Sequence, residues 1–138
     1  MDQVQRLVAE AEIRRTIADY CQSCDDGRFD DFGRCFASDA EVLLDGEVVA
    51  TGRAAIQTWI TAAQPAKRRG KHVTINTLIV WDGENASGAT DYLFVGRTPD
   101  GPRVTTAGRY VDEFVEADGR WLFARREITF FAPPSGGR

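Results

Sequence analysis

Between Val4 and Cys24 the apolar positions Val4, Leu7, Val8, Ala11, Ile13, Ile17, Tyr20, Cys21 and Cys24 recur about every 3.6 residues, with charged residues between them. This spacing predicts a long amphipathic helix. Asp25-Asp26-Gly27 stops it, and residues 30–36 predict a short second helix with Asp30 and Asp31 at its positive end and Phe29, Phe32 and Phe36 as its buried stripe. Alternation then takes over in Ala40–Leu44, which the Asp45-Gly46 turn folds back onto Glu47-Val48-Val49 as a hairpin. Thr51-Gly52-Arg53 opens a third helix carrying Ala55, Ile56, Trp59, Ile60 and Ala63, which must end before Pro65 because the residue preceding a proline is driven out of helical geometry.

The remainder reads as strand after strand: 72–81, 86–98, 103–116 and 120–131, separated by turn signals at Asp82-Gly83, Pro99-Asp100-Gly101 and Asp118-Gly119. Consecutive strands with tight turns predict an antiparallel sheet. Their length, beyond the usual five or six residues, predicts strong twist and bending. Helices first and a meander second define an α+β architecture with helices covering one sheet face.

A chain of 138 residues, 43% of them hydrophobic, can bury one core. The reading is a single domain over 1–132 and a disordered tail over 133–138, the latter from its Pro, Gly and Ser content. The net charge is −4, and the longest basic run is Lys67-Arg68-Arg69, so neither nucleic acid nor an anionic membrane is an expected partner. The N-terminus carries no signal-like pattern and no apolar run reaches the ~18 residues of a membrane span, which predicts a cytoplasmic protein. Cys21, Cys24 and Cys35 are an odd set, read as reduced packing residues. Cys21 and Cys24 stand at C-x-x-C spacing, but with a lone distant histidine they fall short of the four ligands of a closed zinc site, and no metal is expected.

Side-chain alternation in the strand from residue 72 puts His72, Thr74 and Asn76 on one face and Val73, Ile75, Ile79 and Trp81 on the other. The first face is either a solvent face or a polar-lined cavity, and periodicity does not choose between them. Asp91 interrupts an apolar stripe between Ala89 and Leu93, and a buried acid there would need a partner. In the last strand Arg126 shares its parity with Leu122, Ala124, Ile128 and Phe130, which makes it the candidate buried cation over Arg125. Tyr20 and Asp25, five residues apart on the first helix, converge only if Asp25 turns inward at the helix end.

These stretches carry a resemblance. Ile13 to Tyr20, Asp25, Phe36-Ala37-Ser38-Asp39-Ala40, Gly52 to Ile56, His72 with Asn76, Gly108-Arg109-Tyr110-Val111-Asp112, Asp118-Gly119-Arg120-Trp121 and Arg126 together resemble the SnoaL-like branch of the nuclear-transport-factor-2-like superfamily over nearly the whole chain. The resemblance implies a cone-shaped α+β barrel: three N-terminal helices packed in the concave face of a strongly bent, mainly antiparallel sheet that encloses a pocket open at one end. Within that superfamily the chain most resembles cofactor-independent dehydratases of the scytalone dehydratase and bile acid 7α-dehydratase types. It departs from the former in lacking a second histidine, and from the related dehydrohalogenases in offering Val115 or Glu116 where they place an arginine.

The resemblance implies an Asp25–His72 pair as general base, with Tyr20, Asp91 and Arg126 completing the catalytic set, Asn76, Trp59 and Tyr110 binding substrate, and no cofactor. Independently of any family, a neutral imidazole can take a proton at neutral pH, and a carboxylate on its other nitrogen fixes the tautomer and stabilises the imidazolium. The expected activity is that of a lyase or isomerase acting on a hydrophobic, carbonyl-bearing small molecule. A polyketide cyclase-like enzyme and a non-catalytic ligand-binding or assembly domain are the alternatives, since one fold hosts many functions. The face bearing Val73, Ile75, Ile79 and Trp81 would be a large exposed apolar patch, so a homodimer or homotrimer is expected to cover it.

Overall fold

A computed structural model describes residues 1–132, and the expected tail at 133–138 lies outside the described residues. Helix α1 (Gln3–Asp26) starts at a capping box in which the Asp2 side chain accepts from Gln5 N–H and the Gln5 side chain accepts from Asp2 N–H. It ends at Gly27, whose φ of 71° is left-handed. A Cβ at Gly27 would also approach the Arg69 guanidinium to 2.5 Å. Helix α2 (Phe29–Arg34), strands β1 (Phe36–Leu44) and β2 (Glu47–Thr51), and helix α3 (Arg53–Ala63) follow. After a short 3-10 turn (Ala66–Arg68) come β3 (Lys71–Asp82), β4 (Asn85–Thr98), β5 (Gly101–Ala117) and β6 (Arg120–Phe130).

The six strands form one mixed sheet in the order β2-β1-β6-β5-β4-β3. The hairpins and the meander are antiparallel as expected, but β1 lies parallel to β6, pairing across the two ends of the chain. Strand alternation alone carries no information about such a long-range partner. The second helix is also shorter than the sequence predicts: Cys35 N–H caps it and Phe36 already belongs to β1.

The buried face of α1 is Ala9, Ile13, Thr16, Ile17, Tyr20, Cys21, Ser23 and Cys24, whereas Val4, Leu7 and Val8 are exposed. At 100° per residue the latter three lie roughly opposite that stripe. The helix is fastened to the sheet by Thr16 Oγ1 donating to the Trp121 carbonyl at 2.6 Å and by Trp81 Nε1 donating to Glu10 Oε2 at 2.8 Å.

Bulges bend the sheet and reassign faces. In β3 the pairing jumps from Ile75–Asp91 to Leu78–Ala89, with Asn76 at a φ of 55°. Thus Val73 and Ile75 face outward, but beyond the bulge it is Leu78 and Val80 that are exposed, while Ile79 and Trp81 turn inward onto the core. The expected outward set is therefore split in two. In β6 the step from Arg125 to Phe123 against β5 leaves Ala124 unpaired and brings Phe123 onto the face that carries Arg126. Among the described residues no helix is long and apolar enough to cross a membrane.

Candidate active site

Asp25 stands in the last turn of α1, and His72 is the second residue of β3. The helix end delivers the carboxylate to the strand start, where it does two things. It accepts the His72 backbone N–H at 3.0 Å (Oδ2) and 3.2 Å (Oδ1), and its Oδ1 lies 2.6 Å from His72 Nδ1. Both side chains are nearly withdrawn from solvent, at 11% and 5% exposure for His72 and Asp25. With Asp25 ionised, Nδ1 carries the proton and donates, which leaves the lone pair on Nε2. Phe94 packs edge-on against the imidazole with ring centres 4.7 Å apart.

His72 lines a pocket of about 500 Å³ between the helices and the concave sheet face. Tyr20 and Tyr110, both buried, form its inner end, and His72 lies beside them with its ring centre 6.5 Å from that of Tyr20. Trp59 and Ile60 of α3 face Tyr92, Phe94 and Ile128 of the sheet across it. Of the expected site residues the fold therefore gathers His72, Asp25, Tyr20, Trp59 and Tyr110. Desolvation raises the Tyr20 and Tyr110 phenols far above their ordinary range, against a smaller downward pull from Arg126, so both are protonated donors.

Arg126 is buried on the face of Ile128, as expected, although the bulge at Ala124 puts Phe123 rather than Leu122 beside it and Phe130 is exposed; Arg126 does not line the pocket. Its guanidinium carbon lies 3.5 Å from the ring centre of Tyr110, 4.2 Å from that of Tyr20 and 4.3 Å from that of Phe123. Its charge partner is Asp112, with Nε 3.0 Å from Oδ1 and Nη2 donating to Oδ2 at 3.4 Å. Nε and Nη1 are not aligned on any acceptor, so cation–π contact with the rings carries part of the compensation. Arg126 is thus a support behind the two tyrosines.

Asp91 and Asn76 do not join this group. Asp91 pairs with Ile75 on the outer sheet face and forms an ion pair with Arg109 at 2.7 Å, which holds its carboxyl below the usual range. It is an ionised surface acid, not a protonated pocket donor. The apolar stripe Ala89–Leu93 that suggested burial is the outer side of β4, because Thr90 and Tyr92 take the inner one. Asn76 is exposed, within 3.5 Å of Asp91, because the β3 bulge at which it takes a φ of 55° turns it off the face of His72 and Thr74.

Sequence reasoning missed Asp112, although its parity with Tyr110 and Phe114 on β5 was readable as a buried acid. It also missed Tyr92, Phe94 and Ile128, whose aromatic or aliphatic character marks them as core with no sign that the core is hollow there. Cys21, Cys24 and Cys35 are buried free thiols, and burial pushes them up to about 11, 12 and 12. Among the described residues no group of three or more His, Cys, Asp or Glu side chains converges as metal ligands.

A bent mixed sheet wrapped over helices around an aromatic pocket is the nuclear-transport-factor-2-like α+β fold. The SnoaL-like domain model matches residues 5–127, and the chain belongs to that family. No functionally curated protein matches it. Among solved structures, a protein of unknown function from Mycobacterium tuberculosis is similar at 26% identity and a TM-score of 0.87, over 98% of this chain and 79% of that one. A protein from Novosphingobium aromaticivorans, provisionally named a scytalone dehydratase, is similar at 26% identity and a TM-score of 0.80, over 95% and 89%. A nuclear-transport-factor-2-like protein with a cystatin-like fold from the same organism has a TM-score of 0.85 at 21% identity, over 97% and 89%, a likeness of fold alone.

Proposed function

We propose that the chain is a cofactor-independent lyase or isomerase for a hydrophobic, carbonyl-bearing small molecule, with His72 as general base. The observation that carries this reading is the 2.6 Å contact between Asp25 and Nδ1 of His72, a residue on the wall of an aromatic-lined pocket. The likeness to the provisionally named scytalone dehydratase supports a dehydratase as the leading form.

In the proposed step Nε2 removes the proton on the carbon next to the carbonyl, and that C–H electron pair moves into an enolate. Asp25 stabilises the imidazolium that results. The protonated Tyr20 or Tyr110 hydroxyl donates to the enolate oxygen, which must be stabilised for the proton removal to be useful. When a hydroxyl sits one carbon further on, the enolate expels it as the C–O bond breaks, and the imidazolium proton leaves with it as water. Return of the proton to a different carbon gives isomerisation instead. The same first step begins both reactions.

The test is solvent deuterium incorporation and turnover with a panel of β-hydroxy ketones and β,γ-unsaturated ketones. The expected result is exchange next to the carbonyl that His72→Gln reduces by roughly 10²- to 10⁴-fold, the usual contribution of a positioned base. Unchanged exchange or turnover in both His72→Gln and Asp25→Asn would overturn the proposal.

A further inference from the structure

The two ends of the pocket differ in charge. Its inner end is aromatic and buried. Its outer end is lined by Lys67 and Arg68 on the 3-10 turn, Arg69 just after it and Arg97 near the end of β4. Lys67, Arg68 and Arg97 are exposed, and Arg69 is half-buried. Among the described residues no Asp or Glu lines the pocket, and none of these four cations is in an ion pair.

This arrangement runs against the chain's composition. Acidic residues outnumber basic ones, 21 to 17. Elsewhere Arg14, Arg15, Arg28, Arg34, Arg109, Arg120, Arg125 and Arg126 each sit within 4 Å of a carboxylate, and the cations among the described residues that do not, Arg6, Arg53, Lys71 and Arg103, line no part of this pocket. Arg69 is moreover held in place: its Nε donates to the Gln64 carbonyl at 3.2 Å, and its guanidinium lies 5.3 Å from the Phe29 ring centre. Four cations converging from two separate segments on one opening, with no ion-pair partner among the described residues, create a local positive potential that a bound anion would satisfy.

We infer that the substrate carries an acidic group, carboxylate or phosphoryl, at the end remote from its reacting carbonyl, and that the Lys67-Arg68-Arg69 turn and Arg97 receive it at the pocket mouth. The inference rests on the proposed function only in placing the reacting end beside His72. The apolar body of the ligand fills the space between Trp59 and Tyr92, and the charged end stays where water and guanidinium groups can solvate it. The cations then act in selection and orientation, and proton transfer is left to His72.

The experiment is calorimetric binding of three probes sharing one ring system: naphthalene-2-acetate, 2-naphthyl phosphate and the neutral 2-(2-naphthyl)ethanol. At low salt, at least one anion is expected to bind about tenfold tighter than the alcohol, the scale of one or two charge-assisted hydrogen bonds. High salt and the double variant Arg68→Gln/Arg97→Gln are each expected to erase most of that preference, while Arg15→Gln on α1 leaves it intact. Tighter binding of the acetate assigns a carboxylate, and tighter binding of the phosphate a phosphoryl group. Equal affinity for alcohol and anions, a preference that survives the double variant, or no binding of any anion overturns the inference. The readout needs no turnover, and His72→Gln is expected to keep the preference. Loss of the catalytic proposal would leave this one standing, and turnover of neutral and acidic substrates at equal kcat/KM would remove this one alone.

Discussion

One carboxylate, that of Asp25, holds both the backbone N–H and the imidazole Nδ1 of His72, tying the end of the first helix to the start of the third strand. The ring nitrogen that remains is directed by this clasp, because a histidine bonded at Nδ1 in a nearly closed setting has only Nε2 to offer. Asp25→Asn should therefore separate two roles. An amide can still accept the backbone N–H, so the melting temperature should fall by only a few degrees, while activity on any confirmed substrate falls by roughly 10²-fold or more from the wrong tautomer. Thermal unfolding alongside kcat measures the split.

Arg126 and Asp112 form a buried charge pair behind Tyr20 and Tyr110. Arg126→Ala leaves an unpaired carboxylate in the core and should cost about 3–5 kcal/mol in urea unfolding. Arg126→Met with Asp112→Asn, which removes both charges and keeps volume, should cost less than the single alanine variant.

The same pair gives the protein a pH signature. Burial raises the Asp112 carboxyl from an ordinary 3.8 to about 6, against a smaller opposing pull from Arg126. Between those values the folded chain holds a proton that the unfolded chain has released. The stability this group contributes is full below about pH 4 and is lost as pH rises through about 6. Asp112→Asn should show a flatter stability profile between pH 4 and pH 6, measured by urea midpoints at each pH.

The three buried thiols should be inert in the folded state. Burial pushes Cys21 to about 11 and Cys24 and Cys35 to about 12, so each is almost wholly protonated at pH 8. Reaction with an aromatic disulfide reagent should proceed at the rate of unfolding, and three equivalents should react promptly in denaturant.

On the outer sheet face Val73, Ile75, Leu78 and Val80 are exposed, Leu78 by 69%, around the Asp91–Arg109 pair. We expect a second copy of the chain to cover this face, since its apolar row and central pair of opposite charges offer a self-complementary surface. Light scattering should give a dimer or trimer, and Leu78→Glu should shift it toward monomer. A monomer at micromolar concentration in the unaltered protein would refute the expectation.

Local periodicity determined much of this protein by itself. The spacing of Ile13, Ile17, Tyr20 and Cys24 specifies the long helix, Asp-Gly and Pro-Asp-Gly turns delimit the meander, and the parity of Arg126 marks it as buried, because each of these depends on neighbours within a few residues. The resemblance to the SnoaL-like family then pointed to Asp25 and His72. Only the tertiary structure decided which faces look inward. The bulge at Asn76 flips the second half of β3, sending Ile79 and Trp81 to the core, and Asp91 falls outside because Tyr92 takes the inside. Alternation gives two faces but no sign for either, and a one-residue bulge reverses them without changing composition. The parallel pairing of β1 with β6 and the gathering of Lys67, Arg68, Arg69 and Arg97 at one opening join segments well separated in the chain. Such contacts are fixed by the packing of the whole sheet on the helices, which no local pattern encodes.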